Sequence, residues 1–452
     1  MFGRHKCLIP SHASLDRGLE VRRRMMDVRD ALCWATSNRG RSLCEMKFMN
    51  HRIVLVSLLA FAFCVAAPSE AVLPVLAAHL IRTDDKEQSQ GNVAHESFEK
   101  LTARARAALD ADQIPEAIRL YDRATKLRPN WSEGWWHLGT LFFDTQRFGE
   151  ARDAFAHFVS TERKQPGPGF AMLGLSEFQL AHYAKALAAL ETSLKLGTGA
   201  DPAFIRDVLF HDGILNTQLG QPEIALQRLT LAANQIAAAN PQAPKDAVFA
   251  DLKLLDAFGI AALRIPKLPS NLTAEQIPLV RQAGRAQILI ALQDRVAAET
   301  EFKQLLALYA SEPGVHYMYG VFLLKEHAPL AVDEFRREIE VSPSDAAPRI
   351  QLALEFLRTG DYEQGLKHAK EAVVLAPDNF VAHVACGRLW LETGKTDRAL
   401  QELRIAVKLA PGSPDAHFAL SRALSEAGRD NEAASERAEF ERLRALADVA
   451  NR

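Results

Sequence analysis

Two stretches of this chain, 34 residues apart, limit its fold more than any other feature: AHVACGRLWLETGKTDRALQELRIAVKL (382–409) and AHFALSRALSEAGRDNEAASERAEFERL (416–443). Each opens on Ala-His, turns at a Gly between two helical halves, and places an Ala soon after the turn. The apolar stripe on each half is thin. A unit of this kind is stable only when its face is buried on a neighbouring copy, so a stack of helical hairpins is expected.

The same spacing runs back through the sequence. Gly139, Gly174, Gly213 and Gly387 are each followed 12 residues later by an alanine: Ala151, Ala186, Ala225 and Ala399. Ala105 and Ala117, Ala286 and Ala298, Ser421 and Ala433 repeat the spacing with another small residue first, and Ala353 is followed by Gly365. Gly320 and Ala331 form a copy one residue shorter. A small residue on one helix lets a second helix cross it closely. Four positions beyond seven of these alanines stands an aromatic residue or Leu (Tyr121, Phe155, Leu190, Leu229, Phe302, Phe335, Leu403), expected to fill the gap to the next unit. Pro129, Pro343, Pro377 and Pro411 stop the second helices. With β-branched runs almost absent, the fold class is all-α.

At this point the chain resembles the tetratricopeptide repeat family, and Trp135-Trp136-His137-Leu138-Gly139 followed by Phe142 carries its first-helix motif. The resemblance implies a right-handed superhelical solenoid of about nine helix-turn-helix repeats, beginning near Phe98, Ser132, Gly167, Arg206, Leu279, Pro313, Ala346, Phe380 and Pro414. Four repeats would occupy 98–239 and five 279–445, with a cap helix running to 452. Between them, 240–278 fits no copy: a helical stretch over 246–263, then a loop, then Thr273-Ala-Glu-Gln276 as a capping box that restarts helix.

Function follows from the same resemblance. First helices of this family line a concave groove that binds a segment of another protein, and no cofactor is implied. The candidate groove residues are Trp136, Thr140, Phe143, Phe178, Phe210, Tyr317, Arg358, Arg388, Phe418 and Arg422. Trp136 and Phe143, two turns apart, are expected on one face of one helix, and Arg358, Arg388 and Arg422 would add positive charge. The family's carboxylate clamp uses Lys and Asn where this chain has Thr102, Arg106 and Thr140, so that mode of binding is not expected.

Chemistry-bearing motifs are missing. No Gly-rich phosphate loop, nucleophile elbow or His-Glu-x-x-His occurs, so the expectation is a non-catalytic scaffold without a metal. His316, His383 and His417 share one position in successive units. Helix spacing of about 8–10 Å keeps them from one ion, and they are read as half-buried packing residues. Carboxylate pairs such as Glu338 and Glu340 alternate with Arg and are read as solvated surface. The formal net charge is −2, which offers no footprint for nucleic acid.

The N-terminal part is a separate problem. Residues 1–71 hold 11 of the 54 Lys and Arg but only 6 of the 56 Asp and Glu, leaving 43 basic against 50 acidic residues in the body. From Met49, a short basic start, an apolar run over 53–67 and small residues with Ser69 and Ala71 have the layout of a secretory signal peptide, cleaved before Val72. Residues 1–48 are read as a non-native upstream extension, 49–71 as the signal segment and 72–97 as a linker. The rival reading keeps 49–71 as a membrane anchor. Export to the periplasm or outside the cell would follow. Removing the segment takes Cys7, Cys33, Cys44 and Cys64 with it, leaving Cys386 alone at a core position.

Overall fold

A computed structural model describes residues 97–450, and the upstream extension, the signal segment and most of the linker lie outside the described residues. The described residues form 20 α-helices, one 3-10 turn and no strand, as an all-α helical-repeat chain should. They fall into two compact units, one ending at Asn130 and the other beginning at Trp131.

Among the described residues the first unit holds one hairpin, α1 (Phe98–Asp110) and α2 (Ile114–Leu127). Ser97 caps α1 by accepting from the Lys100 N–H, satisfying one of the orphan donors of a helix start. Ala105 and Ala117 are fully buried at the crossing, and Tyr121 fills the space beside them.

The second unit continues the series. Its hairpins are α3 (Ser132–Asp144) with α4 (Phe148–Thr161), α5 (Gly167–Gln179) with α6 (Tyr183–Leu196), and α7 (Pro202–Gln218) with α8 (Pro222–Ala239). Two helices follow, α9 (Pro244–Ala250) and α10 (Leu252–Ala262). Then come α11 (Gln276–Ala291) with α12 (Arg295–Tyr309), α13 (Val315–Leu323) with α14 (Ala328–Val341), and α15 (Ala347–Thr359) with α16 (Tyr362–Leu375). The last are α17 (Phe380–Glu392) with α18 (Thr396–Leu409), and α19 (Pro414–Glu426) with α20 (Asp430–Ala450).

The small residues meet the alanine at the crossing, as expected (a Cβ on Gly174 would lie 3.0 Å from the Ala186 carbonyl oxygen), and a second partner as well. A Cβ on Gly139 would lie 2.7 Å from the Phe155 ring, and Gly174, Gly213, Gly320 and Gly387 would likewise strike Leu190, Leu229, Phe335 and Leu403. The large side chain four residues beyond the alanine is therefore received by the glycine of its own hairpin. It also faces the next unit, as expected: Phe302 lies 5.3 Å from the Tyr319 ring and 4.9 Å from Phe322 on the following first helix. The large residues at this position are fully buried, and the missing methyl on one helix is the volume that the other helix uses.

Every hairpin except α13–α14 reverses through one residue with left-handed backbone. Glycine holds that place at Gly220, Gly360, Gly394 and Gly428, but Gln146, Ala181 and Gln293 hold it elsewhere at φ near 60°. The residue after it closes the helix: the Arg147 N–H donates to the Phe142 carbonyl at 2.8 Å, as His182 does to Glu177 at 2.9 Å.

The segment outside the repeats departs most from expectation. The expected helix over 246–263 is broken at Asp251, whose side chain accepts from the Leu254 N–H and starts a new helix. α10 then becomes one of the most buried helices of the chain, with Leu254, Leu255, Phe258, Ile260 and Ala261 inside. It crosses α11 through reciprocal glycines. A Cβ on Gly259 would lie 1.9 Å from the Val280 carbonyl oxygen, and one on Gly284 would lie 2.2 Å from that of Leu255. The restart at α11 keeps half of the capping box, with Gln276 Oε1 accepting from the Thr273 N–H at 3.2 Å.

Candidate functional site

The candidate groove residues all lie on first helices, where each is set by what its own hairpin already uses. Trp136 is half-buried because its indole rests on the second helix of its unit, 5.7 Å from the Phe155 ring and 5.2 Å from Phe158. Phe143 meets Phe148 edge-on at 5.4 Å, at the start of the same helix. Both rings thus turn toward α4, and between them the Thr140 hydroxyl donates to the Trp136 carbonyl at 2.9 Å. The face is partly consumed by packing.

In the next two hairpins, Phe178 and Phe210 are joined by a residue that the sequence reading passed over. His211 stands edge-on to Phe178 at 4.9 Å and to Phe210 at 5.3 Å. Its Nδ1 lies 2.7 Å from the Asp207 carbonyl, which fixes the ring. An aromatic residue directly followed by His on a first helix was the available signal.

Tyr317 is only 8% exposed. It packs on Phe335, and the Arg264 guanidinium lies 4.9 Å from its ring centroid. Burial pushes the phenol above its ordinary range, with Arg264 opposing. Phe418 is the contrary case. At 47% exposure it presents an open ring on α19, backed by Phe440 of α20 at 5.2 Å.

The arginines differ in the same way. Arg358 is held by Glu355, one turn earlier, at 2.6 Å, and that hydrogen bond raises its guanidinium above the usual range. Arg422 meets Glu392 at 3.2 Å and Glu426 at 3.9 Å. Arg388 is half-buried on α17 and has no carboxylate partner among the described residues. The three cations are therefore unequal, because two already have acidic neighbours from their own surface.

His316, His383 and His417 are more buried than expected, at 7%, 4% and 6% exposure. Each Nδ1 faces a glutamate on the second helix of its own hairpin: Glu334 at 2.6 Å, Glu402 at 2.6 Å and Glu436 at 2.5 Å. The glutamates stand 18 or 19 residues downstream, a spacing that local helical periodicity does not reveal. Glu338 is a plain correction. Read as surface beside Glu340, it is fully buried, and its two oxygens accept from the Gly314 N–H at 2.8 Å and the Tyr317 N–H at 3.1 Å. Glu340 alone faces water.

Cys386 is 1% exposed, and burial pushes its thiol up to about 12. Among the described residues, no group of three or more His, Cys, Asp and Glu side chains is placed to hold a metal ion.

Residues 102–167, 350–414 and 387–447 match the model of the tetratricopeptide repeat family. Among solved structures the chain is similar to MamA, at 14% identity over 36% of this chain and 96% of that one, with a TM-score of 0.33. It is similar to MamA 41-end from Desulfovibrio magneticus RS-1, at 17% identity over 36% and 94%, with a TM-score of 0.34. YrrB, described as a TPR protein with an unusual peptide-binding site, is 18% identical over 38% and 88%, with a TM-score of 0.32. No curated protein matches.

Proposed function

The chain belongs to the tetratricopeptide repeat family, and from that premise we propose that it is a non-catalytic scaffold that binds a segment of another protein along its first helices. One observation carries the reading. Trp136, Phe210 and Phe418 each stand three residues before the small residue of a first helix (Gly139, Gly213, Ser421), and Phe178 lies on the first helix between the first two. Their hairpins bury these rings incompletely, from half-buried Trp136, Phe178 and Phe210 to open Phe418. Interfaces concentrate their energy in such rings, which supply large contact area at low entropic cost. Arg388, with its charge uncompensated, adds a place for an acidic group of the bound segment.

The site of action we propose is the cell envelope or the exterior, reached by cleavage of the signal segment after Ala71. Support comes from the basic, apolar and small-residue order over 49–71. N-terminal sequencing of the native protein tests it. A chain that begins at Val72 is expected, and one that retains 1–48 would favour the membrane anchor. Work within an envelope-assembly or polysaccharide-secretion system is a narrower form of the same proposal, resting on the signal segment and on family analogy alone.

Phe418 is a better probe of binding than Trp136. Truncating Trp136 removes contacts to Phe155 and Phe158 and loosens the hairpin, whereas Phe418→Ala removes a ring that is 47% exposed and whose one aromatic contact among the described residues is Phe440. A partner captured from envelope extract by the wild-type chain is expected to bind Phe418→Ala at least tenfold more weakly, about 1.4 kcal/mol, with an unchanged thermal midpoint. Equal binding by Phe418→Ala and Arg388→Ala would remove the first-helix face as the site.

A further inference from the structure

α7 and α8 enclose a polar cluster that neither the repeat pattern nor the binding face explains. Asp212 and Asn216, one turn apart on α7, are both fully buried. Asn216 Nδ2 donates to Asp212 Oδ1 at 2.8 Å and to the Asp212 carbonyl at 2.9 Å, and Arg228 of α8 donates from Nε to the same Oδ1 at 3.1 Å. Two buried atoms are left without a donor: Asp212 Oδ2 and Asn216 Oδ1. Buried acceptors of this kind are costly. The two orphans are the free ends of two groups already joined by one hydrogen bond. A single proton on Asp212 Oδ2, donated to Asn216 Oδ1, would close a two-bond ring between a carboxylic acid and an amide and satisfy both.

We propose that Asp212 holds a proton in the folded chain in mildly acidic solution, taken up from water, and that the resulting acid–amide ring makes the α7–α8 hairpin a proton-sensitive joint of the repeat stack. Ionisation leaves the Asp212 carboxylate oxygen and the Asn216 amide oxygen buried, each without a donor.

The neighbouring charges agree with this assignment. Burial is the largest influence on Asp212 and raises its pKa to about 6; Arg228 opposes, and Glu191 of α6 adds to the rise. Glu177 of α5 is turned to His182 at 2.6 Å, and Asp256 of α10 to Arg281 at 2.9 Å, so neither is committed to Asp212. Arg228 is 31% exposed at its side chain and shares its charge with water, which is why a single cation does not keep the carboxylate ionised. A folded-state value above the ordinary one means that the stabilisation is full below about pH 4 and is lost as pH rises through about 6. Phe210 rides on the same helix as Asp212. That link to the binding face alone rests on the scaffold reading, and the experiment does not use it.

The test uses the full chain. Infrared spectra with carboxyl-labelled aspartate are expected to show one protonated carboxyl at pH 5 that disappears above pH 7 and is absent from Asp212→Asn. Amide exchange in α7 and α8, corrected for intrinsic rates, is expected to lose roughly 50-fold protection from pH 4 to pH 7 in the wild type relative to Asp212→Asn. An Asp212 carboxylate already ionised at pH 5 overturns the proposal, as does equal pH dependence in the two proteins. Should Asp212→Asn not fold, the wild-type spectrum at pH 5 still decides the matter.

Discussion

Glu338→Gln isolates a charge-dependent cap built between two helices. The carboxylate comes from α14 and is fully buried, and it serves the first turn of α13, where Gly314, at φ 88°, opens the helix. A carboxylate oxygen faces each of two backbone N–H groups, at 2.8 and 3.1 Å. Hydrogen bonds to a buried charged group contribute about 1.5–3 kcal/mol each, and negative charge at a helix start adds up to about 1 kcal/mol. Glutamine keeps the shape but has one acceptor oxygen, so its NH2 must face one of the two donors. The loss is one charged bond, the weakening of the other, and a buried donor left unpaired. A net cost of about 3 kcal/mol follows after partial relaxation. Because stacked repeats unfold in stages, the appropriate assay is amide exchange resolved to α13. A cost of about 3 kcal/mol corresponds to roughly a hundredfold loss of protection there. Glu340→Gln, two residues along the same helix but exposed, serves as the control and should stay within about 0.5 kcal/mol of wild type. If Glu338→Gln and Glu340→Gln protect α13 equally, the cap contributes nothing and the reasoning from burial fails.

Three other outcomes are expected from the packing of the hairpins. Gly284→Ala drives a methyl to 2.2 Å from the Leu255 carbonyl oxygen; forcing α10 and α11 apart should cost at least about 2 kcal/mol despite the better helix propensity, measured by urea unfolding. Ala181→Gly relieves a left-handed alanine at the turn between α5 and α6. It should raise stability by up to about 1 kcal/mol, and a loss of that size would mean the turn carries no strain. Cys386, buried and with its thiol pushed up to about 12, should resist iodoacetamide at pH 8 in the folded chain and react once denatured, as peptide mass spectrometry would show.

The helical hairpins were legible because their signals are local. Small residue, alanine and large side chain recur within 16 residues, and a helix of 3.6 residues per turn translates that spacing directly into faces. Gly139, Ala151 and Phe155 could thus be named together, although only the folded hairpin shows that Gly139 receives the phenylalanine ring. The candidate site was legible only as a set of positions. Whether a side chain on a first helix is open depends on what approaches from elsewhere: Arg264 reaches Tyr317 from 53 residues upstream, whereas nothing closes over Phe418 to the same degree.

The amino-acid sequence by itself determined the fold class, the stacking logic and the chain reversals, since each follows from spacings shorter than one repeat. Tertiary structure alone decided the rest. Glu338 is read as surface from the sequence, Asp212 carries no signal in the repeat pattern, and α10 looks like an insertion. Each is buried because a neighbouring helix packs over it: the first turn of α13, α8 and the glycine-lined crossing with α11, respectively. Burial is a property of the assembled stack, and hydrogen bonding then determines which buried polar groups the chain can tolerate.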